Sequence, residues 1–246
     1  MTRSTSLALV AACCFCVGAI DAPSGAHRVK VLLVTGGHDF EREPFLDVFR
    51  ANPAIDVTHA EHADGSANAF DRFDPSAYDV VVLYDMPPAI TDAQRTRFLS
   101  MFPRGVGLVA MHHALVSYQT WPDYERIIGG RWIDPAKGGD PTIPAPGYEH
   151  DVDFRVRVAP GHPVTDGVGD FDIHDEIYWG YRVGADVTAL ATTPHPKSGN
   201  PLMWVRTEGS SRVVYLLLGH GPSAFSHPAF RRLVANAIQW TARRPS

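Results

Sequence analysis

The chain has 246 residues, a formal net charge of −5 and 45% hydrophobic residues. That balance suits a soluble globular protein and gives no basic footprint for nucleic acid or an anionic membrane. Its three cysteines are Cys13, Cys14 and Cys16, so nothing from residue 17 onward can form a disulfide, a thiolate metal site or a cysteine nucleophile.

The N-terminus reads as a secretory signal over residues 1–26. Arg3 supplies a basic start, residues 7–20 are apolar and uncharged, and Ala19, Ala22 and Ala26 are small residues suited to cleavage. The apolar run is shorter than the roughly 20 residues that span a bilayer. The expectation is therefore an exported protein, periplasmic or secreted, with no membrane span after cleavage. Val10-Ala-Ala-Cys13 resembles a lipobox and makes a lipid-anchored form the lesser alternative.

Residues 27–246 read as one domain. The β-branched run 29–35 ends in Gly36-Gly37 and predicts a strand buried on both faces. Phe45, Leu46 and Phe49 then stand at helical spacing over 41–50. Further strands are expected at 55–58, 79–84 and 106–111, with a helix from the Thr91-Asp92 cap to about Phe102. Alternating β and α segments of this kind make an α/β fold with a mostly parallel sheet. The stretch 134–148 is rich in Pro and Gly and reads as a long surface loop. Strands follow at 152–158, 186–192, 202–206 and 212–218, and a helix at 228–241.

Ligands of open parallel sheets collect at the carboxyl ends of the strands. Three strand ends here deliver histidine: Gly36-Gly-His-Asp-Phe40, His112-His113-Ala114 and Gly219-His220-Gly221. Each alone is as well explained by a loop histidine bonded to backbone, but three at one edge point to a shared site. Asp175-Glu176 adds carboxylates. Neighbouring residues of an extended strand face opposite ways, so one of the two, Glu176, is assigned to the site. Asp175 is expected to be a solvated or helix-capping acid.

Two chemistries suit such a pocket. His38, His112 and His220 could hold a divalent metal, zinc, manganese or iron, with a carboxylate beside them. Alternatively His113 and His220, with Glu176, could act as acid and base without metal. Asp39, Phe40, Trp121 and Tyr178 are the expected substrate contacts, while Trp132, Trp204 and Trp240 are expected in the core. His59, His62, His150 and His195 fall in polar or Pro-rich stretches and are expected at the surface. His162 and His227 each precede Pro and are expected to form turns.

The strand-end motifs are joined by Gly107-Leu-Val-Ala-Met-His-His-Ala114, Trp121-Pro-Asp-Tyr-Glu-Arg-Ile-Ile-Gly-Gly-Arg-Trp132 and His162-Pro-Val-Thr-Asp-Gly167. Asp175-Glu-Ile-Tyr178, Val213-Val-Tyr-Leu-Leu-Leu-Gly-His220, Phe225-Ser-His-Pro-Ala-Phe230 and Asn236-Ala-Ile-Gln-Trp240 complete the set. Together they resemble the ThuA-like (trehalose utilisation) family. The resemblance implies a flavodoxin-like, three-layer fold of the class I glutamine amidotransferase type. It also implies action on carbohydrate, a disaccharide or keto-glycoside, by hydrolysis or elimination. Amidotransferases keep a cysteine on the turn after a central strand; that turn falls here at His112-His113, so glutaminase chemistry is excluded. The alternative function is a non-catalytic sugar-binding module, or an accessory protein of a carbohydrate-degradation system.

Overall fold

The computed structural model describes residues 28–63, 66–133 and 145–242; the predicted signal segment lies outside them. Five strands form a parallel half-sheet in the order β2-β1-β3-β4-β11. These are β1 (Val29–Gly36), β2 (Ile55–Glu61), β3 (Val80–Asp85), β4 (Gly107–Met111) and β11 (Ser211–Leu216). With β11 as the fifth strand, this is the 2-1-3-4-5 order of flavodoxin-like sheets. The central strands are the apolar runs of the sequence, and β3 and β4 are buried at every position. Helices covering both faces dictate such runs.

Helices α1 (Arg42–Arg50), α2 (Asp92–Leu99) and α5 (Pro228–Thr241) flank that half. Thr91 and Gln94 form the reciprocal cap of α2, which ends earlier than expected, at Leu99, before a short turn around Pro103. The two His-Pro motifs do form turns. The Nδ1 of His162 accepts from Val164 N at 3.2 Å, and that of His227 accepts from Ala229 N at 3.2 Å, opening α5.

Beyond β11 the sheet continues antiparallel through β10 (Met203–Glu208), β9 (Thr188–Thr192), β6 (Gly147–Val158) and β7 (Phe171–Trp179), nine strands among the described residues. Residues 147–148, expected in the loop, already belong to β6; residues 134–144 lie outside the described ones. A separate antiparallel pair joins β5 (Gly130–Trp132), which follows the short helix α3 (Asp123–Ile128), to β8 (Tyr181–Val183). Helix α4 (Pro222–Ser226) follows the loop that leaves β11. Among the described residues no helix is long and apolar enough to cross a membrane.

Candidate functional site

Strand order alone brings the ends of β1, β4 and β11 to one edge, and β7 adds its carboxylates from the side. His112 follows β4 directly and takes φ 50°, in the left-handed region, while completely buried. A non-glycine residue held there costs of order 1–3 kcal/mol and persists only when its surroundings fix it. Here the fixing contact is visible. His112 Nδ1–H donates to the Leu217 carbonyl at 2.7 Å. The carbonyl can only accept, so the neutral ring keeps its lone pair on Nε2.

That Nε2 faces three groups. Glu176 Oε2 is 3.0 Å away, His220 Nδ1 3.2 Å and the Tyr178 hydroxyl 3.3 Å. Glu176 Oε2 is also 3.4 Å from His220 Nδ1. This carboxylate is buried, and Oε2 has no aligned hydrogen-bond partner among the described residues. Burial pushes its pKa up, but His112 and His220 beside it outweigh that and hold it well below the ordinary range. Conversely, the contact with Glu176 raises the pKa of the half-buried His220 against the effect of burial. Nitrogen and oxygen ligands about 2.0–2.2 Å from a metal stand about 2.8–3.6 Å from one another at octahedral or tetrahedral angles. The three observed spacings fall in that interval.

The loop carrying His220 is held from three sides. Asp175 Oδ2 accepts from Gly219 N at 2.7 Å and its Oδ1 from His220 N at 2.8 Å. The Tyr84 hydroxyl donates to the Gly219 carbonyl at 2.8 Å. Gly219 itself has φ 111°, and a Cβ would press on the Phe230 ring. The sequence leads us to expect a solvated or helix-capping Asp175, and it is neither. It is a buried brace whose pKa burial raises.

His150 is exposed, as expected, yet it also reaches the site. In β6, Glu149 pairs with Ile177 and Val152 with Asp175, so His150 and Asp151 together oppose Glu176 in a β-bulge. The bulge turns His150 inward. Its Nδ1 is 3.1 Å from Glu176 Oε1, its ring lies 4.5 Å from that of His220, and about half its side chain stays exposed. A cavity of about 210 Å³ opens at this point, lined by His150, His220, Asp151, His174 and Glu41.

The remaining expected residues divide. Tyr178 reaches the site through His112. His113 is buried beneath an exposed His38, with the two rings stacked at 4.7 Å. Neither ring nitrogen of His113 has an aligned partner. Burial, then the charges of His112 and His38, push its pKa well below the usual value, with the Tyr84 backbone offsetting this only in part. His38 bonds the Asp39 carbonyl and is not among the converging ligand atoms, which come from His112, Glu176 and His220. Asp39 is exposed beside it, and Phe40 packs edge-on against Phe45 and Tyr84. Trp121 is not a pocket wall: it is 1% exposed, packed among Phe98, Tyr118 and Tyr124. His62, expected at the surface, is buried. Its Nε2 meets Asp85 Oδ2 at 3.1 Å, and its Nδ1 accepts from Ala69 N. His59 and His195 are half-buried rather than fully exposed.

A model of the family described as ThuA, trehalose utilisation, matches residues 30–241. The chain belongs to the ThuA family. No curated protein matches this ThuA chain in sequence. Solved structures share its fold. A ThuA-like protein from Parabacteroides merdae has a TM-score of 0.74 at 20% identity, covering 88% of this chain and 90% of its own. One from Bacteroides uniformis has 0.66 at 21% identity, covering 91% and 95%. A β-galactosidase from Bacillus circulans contains the same fold in 31% of its length, over 87% of this chain, with a TM-score of 0.57 at 10% identity. This ThuA chain carries histidine on the turn after β4, and no cysteine lies within its matched region.

Proposed function

We propose that this ThuA protein is an exported enzyme of carbohydrate breakdown that acts on a disaccharide or keto-glycoside with a divalent metal held by His112, Glu176 and His220. The observation that carries the reading is the convergence of three ligand atoms, 3.0–3.4 Å apart, one of them a buried carboxylate oxygen with no aligned hydrogen-bond partner. Buried polar atoms are normally satisfied, so an orphaned one aimed at two imidazole nitrogens fits a ligand set. Two histidines and one carboxylate, with a cavity beside them, suit zinc, manganese or iron with open positions for substrate or water. When bound, such a metal supplies a Lewis acid for a sugar carbonyl, or an activated water.

The chain's own residues supply orientation. Leu217 fixes the tautomer of His112, Asp175 fixes the loop of His220, and the Tyr178 hydroxyl stands 3.3 Å from His112 Nε2 at the site's inner wall. His150 and His220 line the cavity that a sugar would enter. His113, neutral and buried, supports this shell from below and does not meet the cavity. Export rests on the signal-like residues 1–26.

The test combines metal content with turnover of trehalose and its keto derivative in wild type, His112→Ala, Glu176→Gln and His220→Ala. The reading predicts one divalent ion per chain and loss of both metal and turnover in the variants. Sugar binding with no product, in any metal, would favour a non-catalytic binding module instead.

A further inference from the structure

A cleft of about 1020 Å³ lies away from the His112, Glu176 and His220 site. Arg212, near the amino end of β11, lines it, whereas His220 follows that strand's carboxyl end. Eight residues of extended chain would separate the two by about 26 Å. Two sequence motifs that the histidine site leaves unused meet there: His162-Pro-Val-Thr-Asp-Gly167 and Asn236-Ala-Ile-Gln-Trp240.

One wall is a stack. The Arg212 guanidinium lies over the Trp240 ring at 4.9 Å, and the His162 ring packs against Trp240 at 4.9 Å. Arg212 Nη1 donates to the Trp240 carbonyl at 3.0 Å, which fixes the guanidinium in place. No carboxylate pairs with it among the described residues. Asn236 is committed to the scaffold, its Nδ2 donating to the carbonyls of Val164 and Asp166 at 3.1 and 2.9 Å. Gln239, one turn further, lines the cleft with no such internal bond among the described residues. Asp166 contributes a carboxylate that no cation of the described chain neutralises. Gly169 also lines the cleft. Its backbone does not require glycine, and nothing lies within 4 Å of where a Cβ would stand, so packing does not require it either.

The chemistry of this lining selects a ligand class. One cation and one anion leave the lining near neutral, which disfavours a strongly charged guest. An apolar guest would strip water from Arg212, Asp166 and Gln239 without replacing their hydrogen bonds. A sugar hydroxyl both donates and accepts, and so matches a mixed set of donors and acceptors. The volume is at the upper end of the range typical for small-ligand clefts. We propose that this cleft is a second, non-catalytic saccharide-binding site for a neutral di- or trisaccharide, held by Arg212, Asp166 and Gln239 beside Trp240. It is independent of the metal reading.

The test is a titration of the purified protein, labelled with 15N at tryptophan, with trehalose, maltotriose and, separately, glucuronate. The Trp240 indole signal, assigned by its loss in Trp240→Phe, should shift and saturate in the millimolar range with at least one neutral sugar. Gln239→Ala, which removes no internal bond, should weaken that binding about tenfold, the upper size for losing one hydrogen-bonding side chain. Arg212→Lys should weaken it less than Arg212→Ala, and Glu176→Gln should leave it unchanged. The proposal is overturned by no shift with either neutral sugar, by a shift with glucuronate alone, or by a shift indifferent to both Gln239→Ala and Arg212→Ala.

Discussion

Two buried histidine networks lie at the carboxyl edge of this sheet, and they differ in one respect. Around Asp85 everything is paired: His62 Nε2 and the Tyr118 hydroxyl donate to Oδ2, at 3.1 and 2.7 Å, and Ser117 Oγ donates to the Asp85 carbonyl at 2.6 Å. Around Glu176 the atoms are as close, yet Oε2 has no aligned partner, and neither do the His113 nitrogens. A closed network joins the loops after β2, β3 and β4 and needs nothing further. An open one is held in place by its neighbours, as a site prepared for a ligand is. Ser117 therefore belongs to the scaffold.

Breaking the closed network should cost most. Asp85→Ala leaves the His62 N–H and the Tyr118 hydroxyl buried without an acceptor and should destabilise the fold by about 3–5 kcal/mol in a denaturant titration. Glu176→Gln removes a carboxylate that its histidine neighbours hold ionised and should cost the metal-free protein less, about 1–3 kcal/mol. Equal losses in the two variants would erase the distinction between scaffold and site. In metal affinity the order reverses: Glu176→Gln should lose on the order of 100-fold or more while Asp85→Asn retains most of it, by equilibrium dialysis.

Next comes the brace. Asp175→Asn offers an N–H to one of the backbone N–H groups that the carboxylate now accepts, so the His220 loop should loosen. Metal affinity should fall about 10–100-fold with little loss of helix or sheet. A variant that binds metal normally would remove Asp175 from the site's support.

The smallest effect is in pH. His113 has a folded pKa depressed below its unfolded value of about 6.5, so the unfolded chain binds the extra proton below that pH. Stability is complete above about pH 6.5 and should decline on acidification by at most about 1.4 kcal/mol per pH unit from this group. His113→Leu should flatten that part of the profile; an unchanged slope would mean that His113 is not held neutral.

The parallel half of the fold was legible because β1, β3, β4 and β11 are buried on both faces and appear as apolar runs. So was the gathering of His112, His220 and Glu176, since strand ends and strand alternation are properties of local sequence. What escaped was set by tertiary pairing. The bulge that aims His150 exists only because β6 pairs with β7 with two residues opposite one, and nothing in Glu149-His150-Asp151-Val152 announces it. His62 is buried because Gly36, at φ 114°, lets the two backbones meet where a side chain would collide. A signal for that network did exist: Asp85 ends an otherwise apolar strand, where an ionisable group needs buried partners. Trp121 was misplaced because aromatic residues mark cores and sugar sites alike.

Elemental analysis of the purified protein decides whether the open network is a metal site: we expect about one zinc, manganese or iron per chain, lost in Glu176→Gln and in His112→Ala and kept in Asp85→Asn. A wild-type protein that takes up none of the three after incubation and dialysis, with Glu176 still folded between His112 and His220, would contradict it.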